Sequence, residues 1–353
     1  VLSLLPVVSG KQVITVAGYA LPRAHYVNPT GPCIVIAASG VTVEGSEIGP
    51  CGTAGETSNF GYGIEISSPD GIVKPGNITI RRNVIHDVAT GVLSHTGTNP
   101  IYVDRNYFFN VRNTLYKAHD IQLSNVSGGS LGSKITCNVS DGYVRYPALM
   151  GPPFVDDHIS LYNVLGVNTE EPVEVAYNKI RATIGGGMQT GSGIMIGDSP
   201  AGGGGTGGAE SGFYFVHHNI IVQANNTGIG VAGGHDIRIE DNWIDQRGPS
   251  AASMTGWPLA IKNYQQDSSC YNVSYKRNKL TPANLWSYPP DPTKAGMTVK
   301  GITGLGATNM YCAAVDFPTS GVDANDIDNA ALGAAFAPEG SQSTFQTVIA
   351  ACN

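Results

Sequence analysis

Residues able to do acid–base chemistry crowd the middle of the chain. "NTLYKAHD" carries Tyr116, Lys117, His119 and Asp120; "SDGYVRYP" carries Arg145; "FVDDHISLYN" carries Asp156, Asp157, His158 and Tyr162. His95 precedes them in "GVLSHTG", and Asp198 and Lys262 follow in "GIMIGD" and "PLAIK". Paired carboxylates bind Ca²⁺ or a sugar, imidazole or amine takes a proton, phenol returns one, and guanidinium grips a carboxylate in bidentate fashion. Plainer readings compete. Adjacent residues of an extended strand point to opposite sides, so at most one of Asp156 and Asp157 shares a side with His158. An Asp before a strand is common in solvated turns. Lys262 alone reads as a surface cation. The pair His235–Asp236 repeats the pair His119–Asp120, so "HD" competes as a corner device of the backbone.

The elements that must position these residues are short strands. An apolar-x-apolar-x-x-Asn phrase recurs as "ITIRRNVI", "IYVDRNYF", "VEVAYNKI", "FYFVHHNII", "IRIEDNWI" and "VSYKRNKL", placing Asn83, Asn106, Asn178, Asn219, Asn242 and Asn278 at one offset. Between Asn106 and Asn178 two further rungs are expected, in "DIQLSN" and "SKITCNVSD". A shorter phrase alternates with the first: "GIEIS", "GVLSH", "GIMIG", "GIGV", "PLAIK". Period-two alternation marks half-buried strands. A fixed Asn offset with variable gaps implies stacked coils whose amides hydrogen-bond from rung to rung, with loops of different size inserted. Glu65, Met195, Gly230, Ala260 and Lys262 are expected to face outward, and the varied residues before each ladder Asn, His217 and His218 among them, read as a solvated face.

This pattern resembles the right-handed parallel β-helix of the pectate-lyase-like superfamily. The resemblance implies an all-β solenoid over residues 34–280, a capping segment at 1–33, and a C-terminal capping tail at 281–353. In that tail "VDANDIDNAALGAAF" has the spacing of a short helix. It also implies a carbohydrate substrate. "HD" at His119–Asp120 matches the second half of the Asp-Pro-His-Asp motif of alginate C5-epimerases, with Lys117–Ala118 in place of its first half. "AIK" at Lys262 resembles the Arg-Ile-Lys of polygalacturonases, whose other motifs do not appear in order.

Composition agrees with many strands and tight turns. Charged residues make up 13% of the 353, glycines number 46, and hydrophobic residues at 41% suffice for a large core. A net charge of −7 argues against a nucleic-acid partner. No apolar run is long enough to span a bilayer as a helix, and the Val start without a basic leader implies a signal peptide already removed. The six cysteines lack zinc spacing and read as disulfides of a secreted or periplasmic protein, with Cys33–Cys51 and Cys270–Cys312 the first pairs to expect. The glycine-rich 199–212 is a loop, not a dinucleotide site, because no βαβ unit surrounds it.

The expected function is a monomeric polysaccharide lyase acting on a uronic-acid-containing chain. In it Asp156 and Asp157 hold a cation or sugar, with Ca²⁺ the candidate cofactor. His158 or Lys117 is the base, Tyr162 or Tyr116 the acid, and Arg145 the carboxylate clamp. His119 shares in proton transfer, while His95, Asp120, Asp198 and Lys262 bind substrate. A glycoside hydrolase using Asp157 with Asp198, a C5-epimerase, and a non-catalytic glycan-binding β-helix are the alternatives.

Overall fold

The computed structural model describes residues 7–8, 13–15, 25–28, 30–52, 61–67, 74–111, 118–142, 155–181, 191–198, 211–222, 224, 227–245, 257–261, 271–280, 313–316, 318 and 320–325. Every regular element among them is a strand. The strands form three sheets, and each successive strand in a sheet lies three further along the chain, except at the last step of the second sheet, from Tyr271–Lys276 to Ala313–Asp316, which is two. All pairings are parallel. The chain thus visits the first, second and third sheet in turn and begins again one layer on, an arrangement consistent with a parallel β-helix. The strands Val7–Val8, Val13–Thr15 and His25–Asn28 pair with the next strand of each sheet, so the segment expected as a cap already follows the coil path.

Burial explains the alternation in the sequence. In the first sheet Ile34, Ile64, Val92, Ile121, Ile159, Ile194 and Ile229 stack in register, all fully buried. In the second sheet Val43, Ile80, Val103, Ile135, Val175, Val216, Ile239 and Tyr275 do the same. Each such aliphatic side chain contributes roughly 1.5–3 kcal/mol by leaving water. Between them on the first sheet runs the register row Glu65, Leu93, Gln122, Ser160, Met195, Gly230, Ala260, matching the outward assignment of Glu65, Met195 and Gly230. Lys262 lies outside the described residues.

The asparagine ladder holds the turn from second to third sheet. Asn83, Asn106, Asn138, Asn178, Asn219, Asn242, Asn278 and Asn325 each donate or accept an amide bond to the next, at 2.8–3.0 Å. The residue before each of the first seven has positive φ, from 53° at Arg105 to 58° at Tyr177. That left-handed step bends the chain and turns the following amide inward. The slot read as a solvated face is therefore a backbone corner. Only one rung, Asn138, occupies the interval between Asn106 and Asn178. Asn125 in "DIQLSN" belongs to the first sheet instead, where Asn163 donates to it at 2.7 Å. Stacking runs on past 280: Ala313–Asp316 pairs with Tyr271–Lys276, and Asn325 caps the ladder. Residues 322–325 form turn and coil, and the remainder of the expected helix lies outside the described residues.

Cys33 and Cys51 are bonded as expected, tying the start of Ile34–Ile36 to the end of Glu47–Cys51. Cys137 is also disulfide-bonded. Cys270, Cys312 and Cys352 lie outside the described residues. No helix among the described residues is long and apolar enough to cross a membrane.

Candidate functional site

The first-sheet strands begin where the chain turns in from the third sheet. Near the start of these strands one register position is Gly63, Gly91, Gly193 and Gly228 in four coils, Asp120 and His158 in the two coils between them, and Cys33 and Pro258 in the coils at either end. A Cβ on Gly91 would lie 2.7 Å from the Phe108 ring, and one on Gly193 would lie 2.7 Å from Ile221. The position therefore faces the interior at very close quarters. In the Asp120 coil the third-sheet residue in register with Phe108 is Ser140, so a small side chain stands where the neighbouring coil has a ring.

Asp120 and His158 form a hydrogen-bonded pair with Nδ1 to Oδ2 at 2.5 Å, the side chains 3% and 0% exposed. A carboxylate accepting Nδ1–H leaves Nε2 as the basic nitrogen. One residue earlier in each strand, His119 is in register between Thr90 and Asp157, and Asp157 pairs with Ser192. The His119 ring bonds through Nδ1 to the Asp157 carbonyl at 2.8 Å, and Thr90, His119, Asp157 and Ser192 are all buried.

Four of the residues singled out by sequence thus meet at one corner: His119, Asp120, Asp157 and His158. Asp156 sits just before them. Its N–H bonds to the Ala118 carbonyl at 2.9 Å, and its own carbonyl accepts from Gly191 and Ser192. His158 does not share an outward side with Ser160 and Tyr162. It is wholly buried, at the position whose glycine in the next coil, Gly193, faces the Ile221 side chain. The two "HD" pairs do not share a corner: His119 opens a first-sheet strand and His235 a second-sheet strand, where it bonds its neighbour Asp236 at 2.7 Å. Both aspartates reach the next coil, Asp120 to His158 and Asp236 to the Asn272 amide. Tyr162 stands opposite Ser124 and Asp198, toward the far end of the strand. Five residues separate that position from Asp157, roughly 16 Å of strand. Asp157 and Asp198 are too far apart for a glycosidase pair, which needs about 5–9.5 Å. His95 is exposed, its Nε2 3.2 Å from Glu65 Oε1, with Tyr62 edge-on to its ring at 5.9 Å. Tyr116, Lys117, Arg145 and Lys262 lie outside the described residues.

Among the described residues, three side chains able to ligate a metal gather at His25, Glu47 and His86 rather than at Asp156 and Asp157. Sequence reading missed that group, and missed Thr90, Ser140 and Ser192. A signal for the corner was present. Aligned, "CIVI", "GIEI", "GVLS", "DIQL", "HISL", "GIMI", "GIGV" and "PLAI" differ at their first letter, and the two ionisable departures from glycine, side by side, are Asp120 and His158.

The outward face of the second sheet has a different character. Ion pairs link coil to coil: Arg81 with Glu44 at 2.8 Å, Lys134 with Glu174 at 2.8 Å, Arg277 with Glu240 and Asp323 at 2.7 and 2.8 Å. His217 stacks on Phe215 at 4.0 Å and bonds Glu174 at 3.1 Å. The His217 hydrogen bond, then Lys134, hold the Glu174 carboxyl down at about 2 against the opposing effect of burial. A group so depressed stays ionised and serves as an anchor, not a general acid. It contributes stability above the ordinary carboxylate value of 4.5 and loses it as pH falls toward about 2. Glu174→Gln should therefore melt below the parent at pH 7, with the gap closing only between those two values. Thermal melts across pH 2–7 check this (roughly, the range over which carboxylates titrate); a gap unchanged by acid would refute it.

Compared with known proteins, the chain matches no family model, no curated protein and no solved structure.

Proposed function

We propose that the chain is a secreted, right-handed parallel β-helix of pectate-lyase-like type that cleaves a uronic-acid-containing polysaccharide by β-elimination. One observation carries the reading: two successive coils replace an interior glycine row with a hydrogen-bonded Asp–His pair, beside a second histidine and a second aspartate. In this reading Lys117 takes the proton from C5 of the uronate, and the Asp120–His158 pair, wholly buried and facing the interior, holds the corner beside it. The acid is Tyr116, next to Lys117 in the sequence, and Arg145 neutralises the substrate carboxylate. Asp156 and Asp157 hold a sugar or a cation such as Ca²⁺. Tyr162, Asp198, His95 and Lys262 contact neighbouring sugars. The Cys33–Cys51 disulfide supports an oxidising compartment.

The complete burial of His158 favours a second reading. In it the pair is an interior pin that fixes coil register in a non-catalytic glycan-binding β-helix. Incubation with a panel of polyuronates and neutral glycans separates the two. Ultraviolet absorbance from an unsaturated uronate product is the expected result. New reducing ends without that absorbance would mean hydrolysis, and binding with no product would leave the second reading standing.

A further inference from the structure

We propose a divalent-cation site of zinc type on the outward face of the third sheet, formed by His25, Glu47 and His86. The three come from successive strands of that sheet, His25–Asn28, Glu47–Cys51 and Val84–His86, and so from successive coils. Each offers one ligand atom, and these atoms lie within 4.8 Å of one another. Two imidazoles and one carboxylate are a donor set suited to Zn²⁺, which bonds nitrogen and oxygen at about 2.0–2.2 Å and leaves a fourth position to water. Ligands at that radius stand about 3.3 Å apart, so closing the site asks a movement of roughly an ångström, taken up by the more open His25 and Glu47 around the largely buried His86.

The surroundings of His86 point the same way. Its Nδ1 is 2.7 Å from the Asp87 carboxylate, and Asp87 is itself held by the Asn110 amide. A carboxylate on Nδ1 fixes the tautomer and leaves the Nε2 lone pair free, the arrangement by which proteins orient a metal-binding histidine. That Nε2 faces the Glu47 carboxylate at 3.2 Å. Without a shared proton or cation between them, a lone pair and an anion meet there. The His86 ring is stacked on Phe109 at 4.8 Å, which holds its plane. Gly49, whose Cβ would collide with the His86 carbonyl at 1.7 Å, adds no side chain between the two histidines. His25 approaches across it, bonding the Gly49 carbonyl through Nε2 at 2.6 Å, a bond it exchanges for the cation. The bound ion would pin the first coils to one another where the stack begins.

The test is titration of chelator-stripped full-length protein with ZnCl₂ by calorimetry, with thermal melts alongside. One equivalent binding at micromolar affinity or tighter is expected (about the affinity of a three-ligand site), with a melting temperature that rises with zinc. Co²⁺ in place of Zn²⁺ should give the visible absorption of a tetrahedral site. His25→Ala and Glu47→Gln, both on solvent-facing positions, should abolish this equivalent, and Asp87→Asn should weaken it by about 10–100-fold. No binding by the parent protein would overturn the proposal. So would binding that survives both His25→Ala and Glu47→Gln, since the zinc would then sit on other histidines.

Discussion

Asn178→Ala should cost the protein roughly 3–5 kcal/mol, the largest effect expected of any single substitution in the stack. Asn178 is fully buried, and its amide makes four bonds. It donates to the Ile135 carbonyl and to Asn219 Oδ1, both at 2.9 Å, and accepts from the Asn138 N–H and side-chain amide, both at 3.0 Å. Removal strands a backbone donor and a backbone acceptor in the interior, and each stranded group costs about 1–3 kcal/mol. Asn178→Asp keeps an acceptor for Asn138 but has nothing to donate to Ile135, so it should fail as well. Leu131→Ala, at an exposed position, is the control and should stay within about 0.5 kcal/mol of the parent. Urea unfolding of the three variants measures this. Asn178→Ala behaving like Leu131→Ala would show that the ladder does not hold the coils.

The second large effect is at the corner. Asp120→Ala leaves a fully buried imidazole without its partner and should destabilise by roughly 3 kcal/mol. The double change Asp120→Gly with His158→Gly restores the glycine row of the adjoining coils. It adds only the backbone entropy of two glycines, about 0.5–1 kcal/mol each, and removes both halves of the pair together. The double variant should therefore be no less stable than Asp120→Ala. If the double loses stability as the sum of the two single changes, the residues do not act as a pair.

The coil architecture was legible because its cause is local and repeated. A left-handed residue followed by Asn makes the same turn each time, and period-two alternation marks the strands on either side. The middle of the chain was less legible. Asn125 and Asn138 both follow an apolar alternation, but only Cys137 has the left-handed turn beside it that puts an amide into the ladder. The candidate site was legible by residue type and misread by direction. His158, Ser160 and Tyr162 alternate with Ile159 and Leu161, and strict alternation assigns all three to one face. The strand runs unbroken from Asp157, yet His158 is as fully buried as Ile159, so alternation of burial does not hold over its first residues. The Asp157–Asp198 pairing failed for a related reason, since separation along a strand depends on register, which short strands with variable loops do not reveal. His25, Glu47 and His86 could not be grouped from spacing at all, because their proximity comes from three coils stacking.

The most direct test of the functional account is product formation by the Asp120→Gly/His158→Gly variant on whichever polyuronate the parent protein cleaves. The account predicts a folded protein whose elimination rate falls by about 10²-fold, the cost of shifting the reacting groups by about an ångström. A folded double variant that releases unsaturated product at the parent's rate would contradict it.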